Sequence, residues 1–334
     1  MAQDTVKMVR FHQVGGPEVL SIDELPLPKP GPGEVRLRVH AIGLNRAELL
    51  FRQGVYLVRP ELPSKNGYEA SGVVEAVGPD VEQTLIGNSY SVVPSFVLGQ
   101  YGVYGEVAIL PVHALVAYPN NLSYPEAASV WMAYMTAYGA LVYYSVIKPG
   151  DVVIITAASS SVGIAAIQMA RAQGAITIAT TRNRDKKDKL QALGAHHVIV
   201  INEDDLVAET SKITGDMGAK IVFDAVGGHG VEDLLRATAH GGTVFIHGIL
   251  SLEPTLFPFI QAVSKGISMR GYTFFEFIYN PTIRAEAEQY IYTRLQDGRF
   301  KPIIDRIFHL EQIAEAHRYM ESNAQIGKIV VTVP

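Results

Sequence analysis

The sequence contains no cysteine. That single absence removes disulfides, thiolate nucleophiles, cysteine-ligated zinc and iron–sulfur clusters together. An excess of one charge is also missing: 28 Lys and Arg stand against 33 Asp and Glu, a formal net charge of −5. The basic residues are scattered apart from one short cluster, which argues against nucleic acid as the main partner. No apolar run is uninterrupted enough to span a bilayer, and "MAQDTVKMVRFHQVGG" lacks the apolar centre of a signal peptide. The expectation is a cytoplasmic protein with no membrane partner. The histidines form no group at metal-ligand spacing, so no metal site is expected.

What is present is enough for two cored domains: 334 residues, 48% of them hydrophobic. Up to about residue 120 the chain is rich in turns and strand-like. Pro26, Pro28, Pro30 and Pro32 lead into "GEVRLRVHAIG", where Val35, Leu37 and Val39 alternate with charged residues as in a half-buried strand. "ASGVVEAVG" and "VAILPVHALVAYP" read as further strands. From about 121 the texture changes. "SYPEAASVWMAYMTAYGALVYYSV" has a helical period, and Ser123 followed by Glu126 reads as a capping box.

Strands are then expected at 152–156, 175–180, 197–201, 219–226, 242–248 and 268–273, with helices at 162–173, 184–193, 205–214 and 230–239. This alternation predicts an α/β fold, a doubly wound parallel sheet beside a mainly β domain. Two later helices and a last strand, "GKIVVTVP", are expected to return to the first domain. The expected division is 1–122 with 274–334 against 123–273.

The first strand–helix turn, "IITAASSSVGIAAIQ", stands where a glycine-rich dinucleotide fingerprint belongs. Its spaced positions hold Ala158, Ser160 or Ser161, and Gly163, so only the packing glycine is kept. Serine is small enough for phosphate to approach the backbone. The N–H groups of Ser161, Val162 and Gly163 are expected to face outward at the helix start and stabilise an anion. Taken alone, the turn is equally compatible with tight strand–helix packing and no ligand. The end of the next strand, "ATTRNRDKKDK", has no carboxylate at its first positions to hold a free ribose 2′-hydroxyl. It offers Thr181, Arg182, Arg184 and Lys186 instead, which suits a 2′-phosphate and hence NADPH. Val226 and Gly227 in "FDAVGG" and Gly248 in "FIHG" complete the expected cofactor contacts.

Together "GLNRAELLFRQGVY", "GYEASGVVEAVG", "ILPVHALVAYPNNLSYPEAAS", "KPGDVVIITAASSSVGIAAIQMARAQGA", "FDAVGG" and "GKIVV" resemble, in order and over nearly the whole chain, the zinc-independent quinone oxidoreductase branch of the medium-chain dehydrogenases/reductases. The resemblance implies a GroES-like β domain beside a Rossmann domain, usually in a homodimer. Where the zinc-dependent relatives carry a cysteine and a histidine, this chain has Asn45 and Tyr68. It further implies that Asn45 serves catalysis and lies beside the nicotinamide ribose, that Thr136 approaches the nicotinamide amide, and that Tyr56 acts near a substrate carbonyl. Glu48 replaces the family's usual aspartate. Trp131, Tyr134, Phe274, Phe275 and Phe277 are candidates for an apolar pocket or for core.

The expected function is NADPH-dependent delivery of hydride to a small electrophile, a quinone or an α,β-unsaturated carbonyl. Two alternatives stay open: an enoyl thioester reductase acting on carrier-bound acyl chains, and a non-catalytic NADPH-binding sensor or structural protein.

Overall fold

The computed structural model describes residues 5–334. These divide into two compact units, one running through Met132 and resuming at Pro302–Pro334, the other Ala133–Lys301.

The first unit is built on β1 (Thr5–Phe11), β2 (Leu20–Pro26), β3 (Glu34–Gly43), β4 (Ser64–Lys65), β5 (Glu69–Val77), β6 (Ser89–Val92), β7 (Val107–Pro111) and β8 (Leu115–Val116). The alternation read in β3 is the reason for its place: Val35, Leu37 and Val39 are fully buried, while Arg36 and Arg38 on the other face bind Glu75 of β5. β3 pairs antiparallel with β5 and β7.

The second unit holds β9 (Val152–Ile155), β10 (Ile176–Thr181), β11 (His197–Val200), β12 (Ala219–Asp224), β13 (Thr238–Ile246) and β14 (Ser268–Gly271). They form one six-stranded sheet in the order β11-β10-β9-β12-β13-β14, parallel throughout. Its central strands are near-continuous apolar runs because both faces are covered; Ile154, Ile178, Val222 and Val244 are fully buried. Parallel pairing brings every carboxyl end to one edge, the edge at which open α/β sheets bind ligands.

Two strands remain, β15 (Ile304–His309) and β16 (Lys328–Thr332). They pair parallel with each other, and β16 closes antiparallel onto β3. The last strand therefore returns to the first unit, as its sequence led us to expect.

The stretch 123–146 is not one helix. It is split into Tyr124–Ala127, Trp131–Tyr138 and a wider turn at Gly139–Tyr144. The capping box at its start is present, with Glu126 accepting the Ser123 N–H at 2.9 Å. The expected domain limits need correction at both joins. Segment 274–301 packs in the second unit because the rings of Tyr290 and Phe300 pack, tilted, against those of Tyr138 and Tyr134, and 123–132 stays in the first because Ser71 and Ser91 hold the carbonyls of Tyr124 and Ala127.

Candidate active site

In the second unit the expected cofactor residues collect at the carboxyl edge of the sheet. After β9 the chain turns through Ala157, a non-glycine residue with φ +44°, and enters helix Ser161–Ala172 with Ser160 as N-cap. A Cβ on Gly163 would lie 2.7 Å from the Cα of Ala158. Gly163 is thus the close-packing glycine that the sequence indicated. Its N–H, however, donates to Ser160 Oγ at 3.0 Å. The expected cradle of three N–H groups is corrected to two, Ser161 and Val162, because the cap consumes the third.

The basic run at the end of β10 separates into different roles. Lys186 is 9% exposed and donates from Nζ to Ser159 Oγ at 3.1 Å, placing its ammonium beside the serine turn. Arg184 instead pairs with Glu203 at the exposed surface. Arg182 is exposed, and Thr181 is buried with its hydroxyl on the Asn183 backbone.

Beyond β12, Val226 and Gly227 donate to the Asp224 carboxylate at 3.0 and 2.8 Å. Gly248 follows β13 so closely that a Cβ there would meet the Ala225 carbonyl oxygen at 2.5 Å. Thr136 is buried on helix Trp131–Tyr138, and its carbonyl accepts from the Tyr272 hydroxyl at 3.0 Å.

In the first unit Asn45 caps helix Arg46–Arg52. Lys328 Nζ donates to Asn45 Oδ1 at 2.7 Å and to Glu69 Oε2 at 2.6 Å, and both charged groups are almost wholly buried. An ammonium can only donate, so the amide oxygen must face it. The Nδ2 hydrogens then go to the Gly43 carbonyl at 3.0 Å and to Glu48 Oε1 at 3.1 Å. Both amide donors are consumed. With its donors spent, Asn45 could meet a ligand only through its amide oxygen, which would fit a sugar hydroxyl and not the oxygen of a reducible carbonyl.

Glu48, fully buried, also accepts the N–H groups of Asn45 and Tyr68 at 2.6 and 2.8 Å and the Tyr104 hydroxyl at 2.7 Å. Burial raises its pKa against the pull of those bonds. The extra methylene relative to aspartate gives the side chain the reach to tie helix and strand together. Tyr104 continues to His317 at 3.0 Å, whose imidazole is driven down to about 3 by burial and then by Arg52 and Arg46.

Tyr56 lies edge-on to Tyr68, ring centroids 6.4 Å apart, and Tyr68 continues to Phe96 at 5.7 Å. Burial pushes the Tyr56 hydroxyl up to about 12; the bond from Tyr68 pulls it back, and the charge of Glu48 pushes it further up. At neutral pH it is a protonated donor. Among the pocket candidates, Trp131, Tyr134, Phe274 and Phe277 are buried, and Tyr134 bonds to Gln168 at 2.7 Å. Sequence reasoning did not single out Lys328, Glu69, Thr156 or Asp224 as functional. The Asn45–Glu48 spacing, a helix-start signature, was the one local signal available.

Among the described residues no three His, Asp or Glu side chains are grouped to hold a metal ion. No helix among them is long and apolar enough to cross a membrane.

Residues 31–120 match the family model described as alcohol dehydrogenase GroES-like domain, and residues 161–290 the one described as zinc-binding dehydrogenase. The chain is 29% identical to the quinone oxidoreductase of Homo sapiens, covering 98% of each. It is 30% identical to the 2-haloacrylate reductase of a Burkholderia species, over 96% of this chain and 97% of that one. A crystal structure of an NAD-dependent alcohol dehydrogenase superposes with TM-score 0.89 at 33% identity, covering 98% of this chain and 100% of that one. The Escherichia coli quinone oxidoreductase complexed with NADPH gives 0.90 at 28% identity, over 98% and 99%. Two matching domain models in order, full-length relatives and the same two-part fold have one reading: the chain belongs to the quinone oxidoreductase branch of the medium-chain dehydrogenase/reductase superfamily and is an oxidoreductase.

Proposed function

We propose that this oxidoreductase uses NADPH to reduce a small electron-poor acceptor, a quinone or an α,β-unsaturated carbonyl. The observation that carries the reaction class is the half-buried Tyr56 set edge-on to Tyr68, its hydroxyl pushed up to about 12. When hydride adds to an activated alkene, negative charge develops on the carbonyl oxygen, and a preplaced neutral hydroxyl stabilises that charge more than it stabilises the ground state. Asn45, whose donors are spent, is left to accept from a ribose hydroxyl and orient the cofactor.

The residues fit the cofactor. Ser161 and Val162 N–H groups at a helix start suit a pyrophosphate, and Lys186 beside Ser159 suits a 2′-phosphate. Bound nicotinamide would supply the hydride; the chain's own work is to bind, to orient and to present a proton. The Burkholderia relative is a 2-haloacrylate reductase, and a 2-haloacrylate is an activated alkene, which favours this class over alcohol oxidation. The NAD-dependent relative marks the competing cofactor, and the lack of a carboxylate at the first positions after β10 weighs against it.

We also propose a homodimer. Leu252, Phe259, Ile260 and Val263 are 84, 65, 75 and 63% exposed, and β14, which follows the helix carrying the last three, is an edge strand of the second unit's sheet. Exposed apolar side chains and an unpaired strand edge in one unit fit a second copy of the same surface.

The test of function is NADPH consumption with a quinone, an alkenal and a crotonyl thioester. Turnover of either of the first two supports the reading; a preference for the thioester alone, or NADPH binding without turnover of any of the three, overturns it.

A further inference from the structure

The hydroxyl of Thr156 lies where two loops of the second unit diverge. Thr156 follows β9 and leads into the serine turn. Its Oγ1 donates to Asp224 Oδ1 at 2.6 Å and accepts from the Ala225 N–H at 2.9 Å. Asp224, fully buried at the end of β12, takes the Val226 N–H on that same oxygen at 3.0 Å and the Gly227 N–H on the other at 2.8 Å.

This latch holds backbone that the chain does not adopt by preference. Gly227 has φ +68° and ψ −155°, and Gly228 φ +67°, conformations that side-chain-bearing residues rarely tolerate. The Gly228 N–H is tied in turn to Thr255 Oγ1 at 2.9 Å. The Thr156 hydroxyl and the Asp224 carboxylate therefore fix residues 225–227, and Thr255 fixes the next.

The order of strands says what the loop faces. Along the carboxyl edge come β10 with the basic run, β9 with the serine turn, then β12 with this loop. A dinucleotide with its 2′-phosphate at the first and its pyrophosphate at the second lays its remaining half over the third. We propose that Thr156 and Asp224 are positioning residues that hold the 225–227 loop against the nicotinamide half of the cofactor without touching it. This rests on the dinucleotide reading given above.

Calorimetry with two probes tests it: NADPH, and adenosine 2′,5′-bisphosphate, which carries the adenine half alone. Thr156→Val keeps the shape and removes the hydroxyl. It should weaken NADPH about tenfold, the scale of a lost bond to a charged group, and leave the bisphosphate within about twofold. Thr156→Ser, which restores the hydroxyl, should recover the NADPH affinity. Asp224→Asn still accepts from Thr156 but presents N–H to the Gly227 N–H; it should show the same selective loss and serves if the valine variant does not fold. Unchanged NADPH affinity in both variants overturns the proposal. So does equal weakening of both probes, which would mark a general loosening of the sheet. Wild-type protein that binds neither probe is a separate result: it removes the dinucleotide reading and this inference with it.

Discussion

Lys328 and Asn45 lie 283 positions apart in sequence, and their side chains meet at 2.7 Å. The last strand thus does more than fill the sheet between β15 and β3: β16 delivers the cation that fixes the orientation of the Asn45 amide. The same ammonium neutralises Glu69, which in turn accepts the Met132 N–H at 3.2 Å. Removing one partner of a buried pair leaves the other charge uncompensated, and that costs about 3–5 kcal/mol. We expect Lys328→Met to lower unfolding stability on that scale, and the double variant Lys328→Met/Glu69→Gln to recover most of it. Urea denaturation of the three proteins checks this; a double variant no more stable than the single would mean that packing, not charge, is at stake.

The basic run after β10 supports a graded expectation. Lys186 is buried against the serine turn, whereas Arg184 is spent on Glu203 in an exposed pair. We expect NADPH to bind more tightly than NADH and Lys186→Ala to erase about tenfold or more of the preference, as befits a charge-assisted phosphate contact. Arg184→Ala should change it by less than about threefold, since exposed pairs contribute little. Calorimetric titration with both cofactors decides the matter: equal affinities in the wild type, or a preference untouched by Lys186→Ala, contradict the assignment.

The graded roles also show where sequence reading ended. The parallel sheet was legible because its strands are apolar runs at crossover spacing, and Gly163 was legible because a packing glycine has a fixed place between strand and helix. The use of the Gly163 N–H was not, since a serine one position away from another decides which of them caps the helix. Nor was the Arg184–Glu203 pair, whose partners come from the ends of neighbouring strands 19 positions apart. The Lys328–Asn45–Glu69 group joins three strand and helix ends whose meeting depends on how β16 closes on β3 and β3 on β5. No local pattern encodes that. Segment 274–301 was assigned to the wrong unit because its helix, Pro281–Gln296, shows no strong apolar stripe; its place is set by aromatic contacts from Tyr290 to Tyr138 and Phe300.

The apolar patch of the second unit makes a prediction about assembly. Ile260 is 75% exposed, and in a monomer its replacement by glutamate should be neutral or should improve solubility. In a dimer that buries this face, the same charge must be desolvated without a partner. We expect sedimentation velocity to show a dimer for the wild type and a monomer, or a markedly weaker dimer, for Ile260→Glu. A wild type that sediments as a monomer at micromolar concentration rejects the proposed contact.

The last expectation concerns Tyr56 and follows from its raised pKa. A phenol held at about 12 stays protonated through the neutral range, and its donor is lost only as pH rises toward that value. Alkene reduction should therefore be flat around neutrality as far as Tyr56 is concerned, with any decline due to this group confined to alkaline pH. Tyr56→Phe removes the hydroxyl and keeps the ring contact with Tyr68. Loss of one such donor typically lowers turnover about a hundredfold to a thousandfold, and we expect that loss with an enone while NADPH affinity is retained. A quinone, able to draw its protons from water, should lose much less. Comparing kcat for the two acceptors in wild type and variant gives the answer. If both turn over at the wild-type rate, Tyr56 packs against Tyr68 and nothing more, and the proton comes from solvent.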